Sequence, residues 1–366
     1  MRILFVIDSL GSGGAQRLFV NIVNGISEQH DVSVFLYNAN SDFFRNDLAP
    51  NISVQQLDRG AKGGFSLKVV RVLRRQILNT DVVVSFLPTA NIYCALAGIT
   101  SRRVRHIACE MSVVNETEST ARRTLANIAN FLSSHVICNS FTQANYIRRK
   151  LGMSRKVSTI WNGCTDIPFA ARPLRDAKSL SMIVVGRVAY PKNGVRLLHA
   201  LRLFHERNGF VPKVIWAGRD DSDERAKSMK LEMVKFLEKH PMVAERFSFA
   251  GEVSNIENLY STADTLILPS IYEGVPNVIC EAMLSGCIVI ATRISDNERI
   301  LGAHEERGFL CDPLSPKDIC LAIERRCATT AASFEKMTLD ARYFAEENFS
   351  MPKMIDGYEN IIKSMS

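Results

Sequence analysis

Thr265-Leu266-Ile267-Leu268-Pro269-Ser270-Ile271-Tyr272-Glu273-Gly274-Val275-Pro276-Asn277-Val278-Ile279-Cys280-Glu281-Ala282-Met283 is the stretch from which the rest of the chain is read. Its first four residues form an unbroken apolar run, the pattern of a strand buried on both faces of a parallel sheet. A loop with a carboxylate and a glycine turn follows, then Pro276 at a helix start and a second carboxylate, Glu281, within that helix. This puts two acceptors at different depths of one crevice, and free amides around Gly274–Val278 face an anion at the helix N-terminus. Two acidic residues at this spacing are common by chance. Their strand-to-helix setting carries the weight.

Outward from this stretch the same alternation recurs. Strands are expected at Arg2–Ile7, Val32–Tyr37, Val82–Phe86, Arg105–Cys109, His135–Cys138 and Val157–Ile160, then at Ser181–Val185, Lys213–Ala217, Phe247–Ala250, Thr265–Leu268 and Ile288–Ala291. Helix-length amphipathic segments separate them, so the fold class is α/β with two parallel sheets and right-handed crossovers. A chain of 366 residues, at about 150 per domain, makes two domains. Pro168, Pro173 and mixed charge mark a linker over Asp166–Lys178, which divides the chain into 1–173 and 174–348. Met351–Lys363 reads as a closing helix with Ser350 as N-cap and Pro352 in its first turn; the segment 349–366 is a candidate to pack back on the first domain. No short repeat or low-complexity tract interrupts this plan.

Composition narrows the class. With 46% hydrophobic and 23% charged residues the chain is neither disordered nor collagen-like. Nine cysteines, an odd number without a Cys-x2-Cys pair, read as small buried hydrophobes in a reducing compartment. No apolar run reaches the ~18 residues needed to span a bilayer, and Met1–Asp8 lacks a signal-peptide pattern, so a cytoplasmic location is expected. Charge is uneven. Residues 1–175 carry 21 Lys/Arg against 11 Asp/Glu, whereas residues 176–366 carry 24 against 27. The positive residues cluster at Lys68, Arg71, Arg74 and Arg75, at Arg102, Arg103 and Arg105, at Arg122 and Arg123, and at Arg148, Arg149 and Lys150. Such a half suits an anionic membrane surface, a phosphorylated acceptor or a nucleic acid; solvated helix faces are the plain alternative.

Ligands of open parallel sheets collect beyond the carboxyl ends of strands. Gly11-Ser12-Gly13-Gly14 after the first strand offers amides at a helix start, but Gln16 replaces the third glycine of a dinucleotide fingerprint and there is no Gly-Lys-Ser/Thr of a P-loop. Gly186-Arg187, with Lys192 beyond it, places two cations on one strand-to-helix loop, a clamp for a diphosphate. Glu110 closes the strand Arg105–Cys109. Asp221-Ser222-Asp223 reads as a helix-capping segment rather than a metal site, and His106, within a strand, as packing.

Together these motifs resemble the retaining glycosyltransferases of family 4, whose GT-B fold sets two Rossmann-like parallel-sheet domains facing each other across a cleft. The resemblance spans essentially the whole chain: Gly13-Gly14-Ala15-Gln16-Arg17, Asn162-Gly163, Gly186-Arg187 with Lys192, and Glu273 with Glu281 as a Glu-x7-Glu motif. It implies that Arg187 and Lys192 hold the nucleotide diphosphate, that Glu281 meets the ribose, and that Glu273 with the amides of Gly274 and Val275 meets the donor sugar and phosphate. Gly13 and Gly14 approach from the first domain, and Glu252–Val253 edges the base. Glu110 stands where many relatives carry His or Asp, and a catalytic role is expected for it on that ground.

The implied reaction moves a sugar from a nucleotide donor, a UDP-sugar being favoured, to a hydroxyl of a glycan or lipid-linked saccharide in cell-surface polysaccharide synthesis. Its oxocarbenium-like state is met by same-face attack, with charge stabilised by Arg187, Lys192 and helix amides and with no metal or other cofactor required. The expected partners are the donor, the saccharide acceptor and an anionic membrane surface, not nucleic acid. Two other classes stand beside this reading: a sugar-nucleotide epimerase of GT-B fold, and a nucleotide- or nucleic-acid-binding module using the basic face.

Overall fold

The computed structural model describes residues 1–38, 41–57, 64–99, 101, 103–111, 120–164, 167–170, 172–253 and 255–365. Arg102 and Asp166, named above, lie outside them. The chain divides into two compact units: Met1–Gly163 with Met351–Ser366, and Cys164–Ser350.

The first unit is a seven-stranded parallel sheet in the order β3-β2-β1-β4-β5-β6-β7, built from β1 (Arg2–Ile7), β2 (Asp31–Leu36), β3 (Ser53–Gln56), β4 (Val82–Phe86), β5 (Arg105–Glu110), β6 (His135–Cys138) and β7 (Val157–Thr159). Its helices are α1 (Gly14–Ser27), α2 (Leu67–Ile77), α3 (Pro88–Gly98), α4 (Thr120–Leu132) and α5 (Phe141–Leu151). Successive side chains of a strand point to opposite faces, and β1 uses both. Ile3, Phe5 and Ile7 pack with Phe19 of α1, whereas Leu4 and Val6 pack with Val69 and Leu73 of α2 and Tyr93 of α3.

The second unit is a six-stranded parallel sheet in the order β10-β9-β8-β11-β12-β13. Its strands are β8 (Ser181–Val185), β9 (Lys213–Ala217), β10 (Phe247–Gly251), β11 (Thr265–Leu268), β12 (Ile288–Thr292) and β13 (Phe309–Cys311). Around them run α6 (Gly194–Asn208), α7 (Glu224–Lys239), α8 (Pro241–Ala244), α9 (Ile256–Thr262), α10 (Asn277–Ser285), α11 (Asn297–Leu301), α12 (Pro316–Cys327) and α13 (Ala331–Phe349). A last helix, α14 (Met351–Lys363), belongs to the first unit and adds Met354, Tyr358 and Ile362 to the core shared with α1. Its approach is close: a Cβ on Gly25 would come within 2.5 Å of Ile355.

Every strand expected from the sequence falls on an observed one within a residue at each end. Two were not expected. β3 is an edge strand whose residues Ser53, Gln55 and Gln56 are exposed, so it lacks an apolar run, and β13 is only three residues long. The observed division at Gly163/Cys164 also precedes the one expected at 173. The reason is visible in the second unit: Arg172 donates to the carbonyls of Tyr260 and Ser285 at 2.7 and 2.9 Å, and the Ala170 amide donates to Ser285 O at 3.2 Å. Segments rich in Pro and charge read as linkers, but these hydrogen bonds fasten this one to its sheet.

Candidate functional site

Each sheet has one topological switch point, where the connections of neighbouring strands run opposite ways. It lies between β1 and β4 in the first unit and between β8 and β11 in the second. At such points the strand ends leave a crevice, and the sequence-expected residues are distributed around both.

In the second unit the loops after β8 and β11 are tied together. Gly186 has φ +135°, and a Cβ there would lie 2.9 Å from Cε of Lys192. Glycine therefore provides both the backbone turn and the room through which the lysine passes. The Trp216 indole donates to Gly186 O at 2.9 Å and fixes that turn from below. Beyond the tight turn Tyr190–Lys192, Asn193 adopts φ +61° and is buried. Its Nδ2 donates to Pro269 O and Pro313 O, both at 2.8 Å, and its Oδ1 accepts from Arg196 at 2.9 Å. The Ile271 amide donates to Pro191 O at 2.8 Å. These bonds bring Lys192 Nζ to 2.6 Å from Glu273 Oε1, both side chains being 17% exposed. Ser270 Oγ donates to the same oxygen at 2.7 Å, and Thr292 Oγ1 donates to Ser270 O at 2.6 Å. Residues far apart in sequence thus form one charged cluster at the switch point.

The remaining expected residues divide by accessibility. Arg187 is 59% exposed and pairs with Asp221, whose other oxygen accepts the Ser222 amide at 2.8 Å. Asp223, not Asp221, caps α7 by accepting from the Ala226 amide at 3.0 Å. Val275 and Pro276 are buried. Pro276 is the N-cap of α10 and brings no side-chain acceptor, and Asn277 opens that helix beside half-buried Gly274. Glu281 accepts from Tyr260 Oη at 2.8 Å; burial pushes its carboxyl up from the ordinary range, and the Tyr260 hydrogen bond opposes the rise. Val253 stands half-buried just beyond β10, the edge strand, with β9 between it and β8.

In the first unit Gly13 is the N-cap of α1 with extended backbone, φ −109°, so no positive φ requires glycine there. A Cβ at Gly13 would meet the Gln16 amide oxygen at 2.2 Å, whereas one at Gly14 would meet open space. Glu110 is sunk at the end of β5, 4% exposed, and its Oε1 accepts from Asn91 at 3.1 Å and Asn130 at 2.9 Å. Asn91 Oδ1 in turn accepts from Ser85 Oγ at 2.7 Å, and Ser85 Oγ lies 2.8 Å from His106 Nε2. The hydroxyl has one proton, so the imidazole donates through Nε2. Burial lowers the His106 pKa to about 4, which keeps the ring neutral. His106 is thus packed within its strand and also orients this network. Asn91, Asn130 and Asn193 were not among the expected residues; isolated asparagines carry no spacing signal.

Two Rossmann-like parallel-sheet domains, one with paired charges at its switch point, define the GT-B class of fold. Solved structures agree: the Anabaena HepE protein in complex with UDP superposes with TM-score 0.83 at 19% identity over 100% of both chains, and in complex with UDP-glucose with TM-score 0.81 at 20% identity over the same shares. Residues 12–165 match the family model Glycosyltransferase Family 4, and residues 179–328 match Glycosyl transferases group 1. The chain is 26% identical over 351 residues to a Campylobacter jejuni α-1,4-N-acetyl-D-galactosaminyltransferase named for a PP-undecaprenol-linked saccharide, covering 92% of this chain and 91% of the relative. It is 22% identical to the Staphylococcus aureus capsular polysaccharide biosynthesis glycosyltransferase CapH, covering 89% and 90%. The chain carries these two glycosyltransferase domains and is a glycosyltransferase. This sets aside the epimerase and the nucleic-acid module.

Proposed function

We propose that the enzyme transfers a hexose-type sugar from a UDP-sugar to a hydroxyl of a lipid-linked saccharide, with retention of anomeric configuration. The observation that carries this reading is the 2.6 Å contact of Lys192 with Glu273 at the switch point of the second sheet. A cation held against a carboxylate there is set to receive a diphosphate, while Glu273 turns to the sugar. Arg187 exchanges Asp221 for the second phosphate as the donor binds. The amides that open α10, without a side-chain cap, complete the anion site. In the transition state the sugar–phosphate bond breaks, and these fixed charges stabilise the leaving oxygen. The acceptor hydroxyl attacks from the same face and passes its proton to the departing phosphate. Two cations supply the charge that a divalent ion would bring, so turnover needs no metal. The HepE complexes with UDP and UDP-glucose support the donor, and the undecaprenol-linked relative supports the acceptor class. Glu110, held by two amides, is assigned to keeping the end of β5 in place.

A thermal-shift panel of nucleotide sugars tests the donor. A ligand at hundredfold its Kd stabilises the native state by about 2.7 kcal/mol, so UDP and a UDP-sugar raise Tm in metal-free buffer, and Glu281→Gln weakens UDP in calorimetry by roughly tenfold. No shift with any nucleotide sugar refutes the donor reading. A product whose anomeric configuration is inverted relative to the donor refutes retention.

A further inference from the structure

The second unit holds a groove that the reaction assigned above does not use. α6 and α7 pack beside each other, with the turn Tyr190–Lys192 against α7, and between them lies a cavity of about 620 Å³. Its walls are two stripes at helical spacing: Arg196 and His199 on α6, and Arg225, Ser228 and Glu232 on α7 at i, i+3 and i+7. Val195, Met229 and Ile271 supply its apolar surface. The α7 stripe runs along ~10 Å of helix, longer than one pyranose ring.

The polar groups are held before any ligand arrives. Arg196 Nη1 donates to Asn193 Oδ1 at 2.9 Å, the Arg225 guanidinium lies 3.9 Å over the Tyr190 ring, and the His199 imidazole meets the Phe236 ring at a centroid distance of 4.6 Å. On the walls, two guanidiniums are matched by two carboxylates, Glu224 and Glu232; Glu224 also accepts from Lys227, outside the groove, at 2.7 Å. Burial, with Arg202 and His240 nearby, holds the His199 pKa below its ordinary value against the pull of Glu232, so the ring is neutral and offers one donor and one acceptor. A wall without an excess of either sign favours a neutral ligand. The Lys192 cluster, with Arg187 beside it, suits an anion instead.

We propose that this groove is a saccharide site, taking neutral sugar residues of the glycan chain on which the enzyme acts. An arginine fork or a carboxylate meets two adjacent hydroxyls of a pyranose at once, a neutral imidazole meets one as donor or acceptor, and the apolar wall meets the C–H face of the ring. The cavity falls within the ~300–1,000 Å³ of small-molecule sites, and side chains already fixed spare the ligand the cost of ordering them. Its place gives it a use. Tyr190 and Lys192 belong to one turn, and Ile271 stands two residues before Glu273, so the groove starts beside the charges assigned to the donor. A chain lodged there is tethered close to the point of transfer. The tether rests on the reading that the acceptor is a saccharide; the groove itself does not depend on the donor.

Histidine-labelled full chain reads the site by NMR, since there are 7 histidines and His199→Gln identifies the signal of this one. Maltotetraose or chitotetraose, added without donor, shifts the His199 signal, whereas inorganic phosphate at the same concentration leaves it in place. Arg225→Ala with Glu232→Ala, both exposed positions, weakens the sugar by about tenfold or more and keeps the wild-type Tm, which shows that the variant is folded. In turnover assays the oligosaccharide that shifts His199 raises the KM for the acceptor and not that for the donor. No shift with either oligosaccharide, an equal shift with phosphate, or undiminished binding by the double variant overturns the proposal. Competition with the donor overturns it too, by placing the sugar at the transfer site. A missing UDP thermal shift would count against the donor reading and leave the groove untouched.

Discussion

The two switch points handle charge in opposite ways. Beyond β8 and β11 the charged groups reach the surface: Lys192 and Glu273 are partly exposed, Arg187 more so, and all three hang from a backbone that Trp216 and Asn193 hold from beneath. Beyond β5, one strand from the other switch point, the carboxylate of Glu110 is taken inside and surrounded by amides. The same fold thus leaves one set of charged side chains at the surface and takes another carboxyl group into its own architecture. A buried carboxylate with its hydrogen bonds made is costly to disturb; a half-exposed ion pair is cheap to reopen.

The largest expected effect tests the exposed side of this contrast. Lys192→Ala and Arg187→Ala each lower kcat by ~10²-fold or more, with circular dichroism and Tm close to wild type. Near-normal turnover in both would show that the charges at this switch point are ordinary surface. The buried side is tested next, by Glu110→Ala. It leaves two internal amide donors unpaired and costs roughly 3 kcal/mol in urea unfolding, while residual turnover follows the folded fraction. A large fall in kcat with unchanged stability would move Glu110 to the reacting groups and erase the contrast. The smallest effect sharpens it. Asn193→Gly keeps the positive φ but removes the bonds to Pro269 and Pro313, for a loss of about 2 kcal/mol; Asn193→Ala adds about 1 kcal/mol for the left-handed backbone. Equal stability of the two variants would mean that the left-handed turn contributes nothing, and a glycine variant as stable as wild type would mean that the turn, not the cross-links, aligns Lys192.

The sequence shows one kind of element well and another poorly. Strands buried on both faces, such as β4 and β11, are continuous apolar runs and need no tertiary knowledge to find. β3 escapes because an edge strand with Gln55 and Gln56 in water has no such run. At the candidate site, Arg187, Lys192 and Glu273 are legible because strand ends announce where ligands gather. Their arrangement is not, for the Lys192–Glu273 contact joins loops aligned by the Asn193 side chain and by the Ile271–Pro191 hydrogen bond, neither of which has a spacing signal. The Glu110 network is harder still: Ser85, Asn91, His106 and Asn130 come from four separate segments, and only the sheet register brings β4 beside β5 so that they meet. Charge showed in the sequence of the first half. The exposure of Leu125, Ile128 and Phe131 on one side of α4 did not, because periodicity reports amphipathicity without saying which side the core takes.

The placement of α14 governs the order in which this chain can be assembled. The second unit is a continuous insertion, 164–350, into a first unit whose core closes only when Met354, Tyr358 and Ile362 reach α1. During synthesis the earlier-made half therefore waits, with part of its apolar surface uncovered, until the later-made half has emerged and begun to fold. Ending the chain at residue 350 would leave the second half whole and the first unfinished, so nascent copies stalled there are natural clients for chaperones.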